Sequence, residues 1–295
     1  MNFKKILVIL NPISGYSRSR ELPGALKVRL EAEGFTVDLH STSGPGDGGQ
    51  YAQDHGRDYD LVLVSGGDGT IREVADGLCG SDVPITIFPA GTENLFAKEM
   101  GIVPDLDQLI QTIKWGKSVC LDMGQVNEKK YLLLSGVGFD AEVLLHMNKF
   151  RTGNITHLTY FWPIWRTFWE HRFPPMTVQA DGETLIENRR GLVFVTNISR
   201  YAVGLRICKN AISNDGLLDV CIYLCDHQIP LLGHAWRTTR GKHLSHPNVI
   251  YRQARKVKVT SALDVPFETD GDPAGFLPAE YSVIPSALNV LIPPG

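Results

Sequence analysis

Asp60-Leu61-Val62-Leu63-Val64-Ser65-Gly66-Gly67-Asp68-Gly69-Thr70 is the stretch of this 295-residue chain that decides its fold. Residues Asp60–Ser65 form a short, branched and apolar run, which is typical of a strand that is buried on both faces. A glycine-rich turn follows this run, and Thr70–Leu78 then predicts a helix. A buried strand that passes through such a turn into a helix is the repeating unit of a parallel α/β sheet.

The first 125 residues repeat this alternation of strands and helices. After Asp122 the pattern changes to short strands separated by turns. Strands are predicted at Ile6–Leu10, Phe35–Leu39, Asp60–Ser65 and Ile85–Phe88, and helices at Leu22–Glu33, Tyr51–His55, Thr70–Leu78 and Asn94–Met100. Later strand candidates are Tyr131–Leu134, Met176–Ala180, Gly191–Asn197, Leu218–Leu224 and Val257–Val259, with turn signals such as Asp181-Gly182 and Asp270-Gly271 between them. We therefore expect a Rossmann-like α/β domain over residues 1–125 and a mainly β sandwich domain over 126–285. The last strand, Ala287–Ile292, fits either domain.

Composition and charge exclude several classes of protein. The net charge of -3 argues against binding to a nucleic-acid backbone, which requires a basic face. No apolar run approaches the roughly 20 residues that cross a bilayer. The run at Met1–Leu10 ends in Asn-Pro, so we expect a buried strand there and not a signal peptide. Five cysteines without a CxxC motif predict neither a disulfide framework nor a zinc site, and we expect a cytoplasmic protein.

Three loops follow predicted strands, at the positions where a parallel sheet binds its ligand. They are Asn11-Pro12-Ile13-Ser14-Gly15, Ser65–Thr70 and Pro89-Ala90-Gly91-Thr92-Glu93-Asn94. Glycines let a backbone approach a phosphate, and N–H groups at a helix N-terminus favour its negative charge. A carboxylate such as Asp68 repels phosphates unless a divalent cation lies between them, which indicates ATP with Mg²⁺. None of these three loops contains a GxxxxGK[ST] or a GxGxxG motif.

Each of these signals also has a purely structural interpretation. A single glycine-rich turn is as often a tight connection between elements, so the prediction depends on finding three. Asp68 is also typical of a helix N-cap. From the residues alone, Asn214-Asp215-Gly216 and Asp270-Gly271 are ordinary turns.

Ser65–Val74 resembles the GGDGT signature of the diacylglycerol kinase catalytic domain, which NAD kinases and 6-phosphofructokinases share more distantly. Other segments resemble motifs of that family in the same order, and the resemblance covers nearly the whole chain. These segments are Asn11–Gly15, Gly91–Ala97, Gly136–Ala141 (GxGFDA), Asn214–Asp219 (DGLLD) and Asp270–Pro273 (DGE). The chain is similar to the soluble bacterial branch, and not to the small integral-membrane diacylglycerol kinases.

The resemblance implies an ATP-dependent kinase that phosphorylates the hydroxyl of a diacylglycerol-like lipid. Its ATP site would comprise Asn11, Pro12, Ser14, Gly15, Thr42, Gly66, Gly67, Asp68, Gly69, Thr70, Glu73, Gly91 and Thr92. Asp68 and Asp122 would hold the Mg²⁺ network at the phosphates, and Asp215 would bind a second, partly structural Mg²⁺. Asp272 would be the catalytic base that takes the proton of the lipid hydroxyl, and Asp270 would share this work.

Three residues depart from the family pattern. Arg72 stands where Asn is usual, Leu95 where many members have an Asp of the magnesium network, and Asp272 where the family has Glu. Two alternatives therefore stay open. One is an NAD kinase-like phosphotransferase, and the other is a nucleotide-binding regulator with weak catalysis.

The segment Thr159–Pro174 is unusually aromatic, with Trp162, Trp165 and Trp169 among its residues. Its helical spacing fits packing in the core, and it equally fits a rim that touches a membrane. Together with the basic residues between Arg237 and Lys258, it leads us to expect transient association with a membrane surface, where the lipid substrate lies. The resemblance also leads us to expect a homodimer.

Overall fold

The structure is a computed structural model that describes residues 3–15, 22–149, 165–201 and 204–294. The chain forms two compact units, of which the first comprises Met1–Met123 and Pro285–Gly295 and the second Gly124–Ile284. Trp162 of the aromatic segment lies outside the described residues. Within the described part of the chain, no helix is long and apolar enough to cross a membrane.

The first unit alternates strands and helices. Its elements are β1 (Lys5–Leu10), α1 (Leu22–Ala32), β2 (Thr36–Ser41), α2 (Asp47–His55), β3 (Leu61–Gly66), α3 (Asp68–Gly77), β4 (Ser81–Pro89), α4 (Leu95–Glu99), α5 (Leu106–Trp115) and the first part of β5 (Lys117–Val126). The strands form a parallel sheet in the order β2-β1-β3-β4. The C-terminal strand returns to this unit, where Leu288 and Val290 pair in parallel with β4.

The sequence therefore predicts the α/β class of this unit correctly. The apolar runs of β1 and β3 are buried because each of these strands has a neighbour on both sides and packs into one core cluster. Helix α5 is absent from the prediction, although Leu109, Ile110 and Ile113 lie on its buried face at helical spacing.

The second unit is mainly antiparallel β structure. Its elements are β6 (Lys129–Tyr131), β7 (Leu134–Val137), α6 (Phe139–Lys149), α7 (165–170), β8 (Pro175–Ala180), β9 (Glu183–Thr196), β10 (Leu218–Leu224), α8 (Gln228–Thr239), β11 (Val249–Ala254), β12 (Lys256–Thr260), β13 (Pro266–Thr269), β14 (Asp272–Phe276) and β15 (Ala279–Ile292). Its strands pair in the order β14-β13-β7-β9-β8-β12-β15, and β10 joins β9 to β11.

Strand β9 is twice as long as Gly191–Asn197 predicts, because its two halves have different partners. Residues from Glu183 to Arg190 pair with β8, whereas the following residues lie between β7 and β10. The predicted strand Tyr131–Leu134 is wrong as a single element, since β6 ends at Tyr131 and β7 begins at Leu134. Leu132 and Leu133 lie between these strands, and their N–H groups donate to the Asp270 side chain in the turn between β13 and β14.

Candidate nucleotide and acceptor sites

The three phosphate-loop candidates meet at one edge of the parallel sheet. Asn11 N donates to Ser65 O and Ala90 N donates to Gly66 O, each at 2.9 Å, so the loops leave adjacent strands in register. The Asn11 Nδ2 donates to Thr70 Oγ1 at 3.0 Å, which ties the first loop to the second.

The second and third loops touch through backbone. A Cβ added to Gly91 would lie 2.6 Å from Gly67 Cα, closer than real Cβ contacts come. Glycine is therefore required at position 91, and a Cβ on Gly67 would be tight, at 3.3 Å from Gly91 Cα. By contrast, a Cβ on Gly69, in the first turn of α3, would meet no atom within 4 Å. The surface above this first turn is therefore open.

Asp68 connects the second loop to the start of α4. Its Oδ2 accepts a hydrogen bond from Leu95 N and its Oδ1 one from Phe96 N, each at 3.0 Å. Burial raises the pKa of Asp68, and the two N–H donors oppose this shift. Residue 95 therefore meets Asp68 through its backbone N–H, a contact that does not depend on its side chain.

The remaining candidates of this unit lie in or beside the same loops. A Cβ on Gly48 would lie 3.3 Å from Thr42 Cγ2 and 3.7 Å from Glu73 Oε2, so these two side chains flank one point. A Cβ added to Gly15 would lie 3.4 Å from Ala90 O, so the first loop lies beside the third. Pro12 and Thr92 are exposed and Ser14 is half-buried.

Asp122 lies in β5, and its carboxylate is buried. Its Oδ1 accepts a hydrogen bond from Ser286 N at 2.8 Å, at the point where β15 enters the first unit. Across the described residues, no group of three or more His, Cys, Asp or Glu side chains is placed to hold a metal ion. Mg²⁺ usually binds one or two carboxylates together with substrate phosphates, so this donor set fits an ion that arrives with a nucleotide.

In the second unit, Asp270 and Gly271 form the two-residue turn between β13 and β14. Both have positive φ, 50° and 86°, as a type I′ hairpin turn requires. The Asp270 carboxylate accepts three backbone hydrogen bonds, from the N–H groups of residues 132, 133 and 134, at 2.7, 2.8 and 3.0 Å. Asp272 follows the turn as the first residue of β14 and is half-buried.

The same hairpin is held from inside by Glu268, which is fully buried. Its Oε1 accepts from Gly136 N at 2.6 Å, and its Oε2 accepts from Gly271 N at 2.8 Å. A Cβ on Gly136 would lie 2.7 Å from Asp140 Oδ2 and 3.0 Å from Glu268 Oε1, so both carboxyl groups face this glycine. Tyr201 OH donates to Asp140 Oδ1 at 2.6 Å.

The carboxyl groups of Glu268, which is buried, and Asp140, which is half-buried, favour a bound proton. Burial raises the pKa of Glu268 well above its ordinary value, and the neighbouring Asp140 raises it further. Burial also raises the pKa of Asp140, against the hydrogen bond from Tyr201. The sequence patterns predict no role for Glu268 or Tyr201, and Asp140 is a candidate only as part of the Gly136–Ala141 segment.

A second pair of carboxylates lies at the predicted turn metal site. Asp215 accepts hydrogen bonds from Leu217 N at 3.0 Å and from Gln253 Nε2 at 3.2 Å. Asp219 is buried, its Oδ1 accepts from Tyr251 OH, and its Oδ2 has no hydrogen-bond partner among the described residues. Burial, together with the charge of Asp215, raises the pKa of Asp219 to about 6.

This carboxylate pair has the donor chemistry of a hard-cation site, because a carboxylate oxygen that lacks a partner needs a counter-charge. The sequence does not predict Asp219 as a ligand, although Asp219 is the last residue of the Asn214–Asp219 segment in which Asp215 is predicted to bind metal.

Two family models match consecutive parts of the chain. Residues 5–126 match the family described as the diacylglycerol kinase catalytic domain. Residues 134–292 match the family described as the YegS C-terminal NAD kinase beta sandwich-like domain. The second match covers more than half of the chain.

Curated relatives match over nearly their whole length. A diacylglycerol kinase of Bacillus subtilis (strain 168) is 27% identical over 294 residues, which cover 98% of this chain and 97% of the relative. A diacylglycerol kinase of Staphylococcus carnosus (strain TM300) is 25% identical over 295 residues, with 98% and 95% covered. A crystal structure of a diacylglycerol kinase from Bacillus anthracis str. Sterne has a TM-score of 0.75 at 22% identity and covers 100% of this chain and 99% of that chain. This last similarity confirms the predicted fold class.

Proposed function

We propose, from the premise that this chain belongs to the diacylglycerol kinase family, that it transfers the γ-phosphoryl group of ATP to the hydroxyl of a diacylglycerol-like lipid. The observation that carries the proposal is the contact of Gly67 with Gly91 beside the open first turn of α3. This arrangement leaves a backbone-lined surface at a helix N-terminus, where phosphates bind favourably.

The ATP phosphates would lie over Gly69, with the N–H groups of the first turn of α3 directed at them. Asn11 and Thr70, which are hydrogen-bonded to each other, would hold the first loop beside the nucleotide. Asp68 and Asp122 would hold Mg²⁺, which neutralises charge on the transferring phosphoryl group. The two N–H groups that fix Asp68 keep its carboxylate in place before the ion arrives.

In the second unit, we assign different roles to the two aspartates of the β13–β14 hairpin. Asp272 would take the proton of the acceptor hydroxyl. Asp270 would act as a positioning residue, because its carboxylate holds three consecutive backbone N–H groups, those of residues 132, 133 and 134, against the turn that precedes Asp272. Glu268 holds the same turn through Gly271 N, so the base follows a turn that is fixed at both ends.

Asp215 and Asp219 would bind a second Mg²⁺ with a structural role. The supporting observation is the buried Asp219 oxygen that has no hydrogen-bond partner within the described residues. We also propose that the protein is cytoplasmic and reaches its acceptor at a membrane surface, since diacylglycerols stay in the bilayer. The homodimer that the resemblance implies stays a prediction.

Transfer to parallel acceptors tests the proposed activity. The protein is incubated with Mg²⁺ and ATP labelled in the γ-phosphate, together with diacylglycerol in mixed micelles, with NAD, or with neither. We expect label in the lipid fraction alone. Label in NAD would support an NAD kinase instead, and binding of ATP without transfer to either acceptor would support the regulator.

A further inference from the structure

Helix α8 buries polar side chains and exposes large apolar ones. The inward side chains include His234 and Thr238, which are buried. Ile229, Leu232 and Trp236, which we call the α8 face, are 75%, 56% and 56% exposed. They occupy positions i, i+3 and i+7, so they lie along one stripe of the helix.

Hydrogen bonds fix this inverted orientation. His234 Nε2 donates to Leu224 O at 3.1 Å, and Thr238 Oγ1 is 2.9 Å from Tyr223 OH. Rotation of α8 to bury the α8 face would leave these buried polar groups without partners, which costs free energy. The apolar stripe is therefore held outward by the fold.

Basic residues predominate along the chain at α8, and the acidic residues next to it, Asp226 and Glu170 of α7, are paired with His227 and Arg166. From His227 to Leu263 the chain has no Asp or Glu, although the whole protein has a net charge of -3. Arg237, Arg240 and Lys242 follow the stripe, and none of the three forms an ion pair with a carboxylate in the part of the chain that the structure describes. Arg240 lies over the Trp236 ring, 4.1 Å from the ring centroid.

Helix α7 joins this surface at one end. Gln228 Nε2 at the start of α8 donates to Phe168 O at 3.0 Å. Trp165 and Trp169 of α7 are exposed and pack edge to face, with ring centroids 5.7 Å apart. Exposed tryptophans therefore flank the start of α8 as well as its last turn.

We propose that the α8 face docks on the surface of a bilayer that contains anionic lipids. An outward apolar stripe with Trp, bordered by Arg and Lys, is the composition that binds at the headgroup level. The choice of a bilayer over a protein partner rests on the proposed lipid acceptor and on the absence of acidic residues over the 227–263 stretch. Ile229 and Leu232 would enter the acyl boundary, and the cations would contact lipid phosphates.

Vesicle binding by matched variants tests the proposal. Leu232→Glu places a carboxylate in the α8 face, and Val28→Glu makes the same change on α1, where Val28 is 67% exposed. The full chain is sedimented with vesicles of phosphatidylglycerol and phosphatidylcholine, without ATP or acceptor lipid. We expect Leu232→Glu to bind about tenfold more weakly than the wild type, and Val28→Glu to bind as the wild type does. Arg240→Gln should lose about fivefold, and only on anionic vesicles.

Three outcomes would overturn the proposal: no vesicle binding by the wild type, equal binding by Leu232→Glu, or equal losses in both Glu variants. If Leu232→Glu instead changes the oligomeric state without changing vesicle binding, the α8 face is an interface between copies. Unchanged melting temperatures and unchanged transfer to a short-chain, water-soluble diacylglycerol show that the variants are folded. Because binding is measured without catalysis, failure of the lipid kinase activity is scored separately from failure of docking.

Discussion

Replacing Gly69 by Ala separates the stability of the nucleotide loop from its ability to bind ATP. The added methyl group meets no atom of the protein within 4 Å, and Gly69 lies in the first turn of α3. The unliganded protein therefore gains helix propensity without strain, by about 0.5 kcal/mol, since Gly is a poor helix former. In the proposed complex, however, the methyl group occupies space that a phosphate of ATP would take.

A displacement of the nucleotide by one methyl group weakens contacts that depend on close backbone approach. We expect the KM for ATP to rise at least about tenfold, which corresponds to about 1.4 kcal/mol. The kcat should fall as well, because phosphoryl transfer depends on positioning. Gly24→Ala is the matched control, since Gly24 lies in α1 and a Cβ there also meets nothing within 4 Å. It should give a similar gain in stability with an unchanged KM.

The assay combines urea unfolding of the unliganded proteins with steady-state kinetics over a range of ATP concentrations. Raised stability with a raised KM in Gly69→Ala alone supports the proposed position of the phosphates. An unchanged KM in Gly69→Ala would refute the reasoning, since the phosphates would then lie elsewhere. Gly91→Ala should behave differently and lower stability even without ATP, because its Cβ would clash with Gly67 Cα.

Two further predictions concern the carboxylate pairs of the second unit. The raised pKa values of Asp140 and Glu268 mean that the folded state binds protons more tightly than the unfolded state, so their contribution to stability is present at low pH and is lost as pH rises through the raised values. The amide oxygen of Asp140→Asn can still accept from Tyr201, so its advantage in stability over the wild type should widen as pH rises from 5 to 8 in urea unfolding. A constant difference across this range would contradict the raised pKa values of the two carboxyl groups. Asp215→Ala should abolish the rise in melting temperature that Mg²⁺ gives the wild type, and a rise that survives would leave Asp215 as a turn residue only.

Local patterns in the sequence predict the elements whose own residues carry the signal. Buried strands such as β3 are read from short apolar runs, and the hairpin turns Asp181-Gly182 and Asp270-Gly271 from residues that tolerate positive φ. The length of β9 depends on two different partner strands, and that of β15 on pairing with β12 and β4. No local pattern contains this information.

The candidate site shows the same limit. The phosphate loops adjoin strand ends, so a strand prediction already places them at one sheet edge. Glu268 meets Gly136 across 132 residues, and a buried carboxyl group is not a feature that a sequence pattern predicts. The Asp219 oxygen that has no partner among the described residues likewise depends on how β10 and β11 pair, since Tyr251 donates to its other oxygen.

The formation of phosphorylated diacylglycerol from ATP tests the central claim most directly. The rate at which γ-phosphate label enters the lipid extract is measured for the wild type, for Asp272→Asn and for Asp272→Glu. We predict transfer by the wild type, retained transfer by Asp272→Glu, and a loss of about 100-fold or more in Asp272→Asn, since its amide cannot take the proton of the hydroxyl. Absence of labelled lipid with the wild type, or an undiminished rate in Asp272→Asn, would contradict the account.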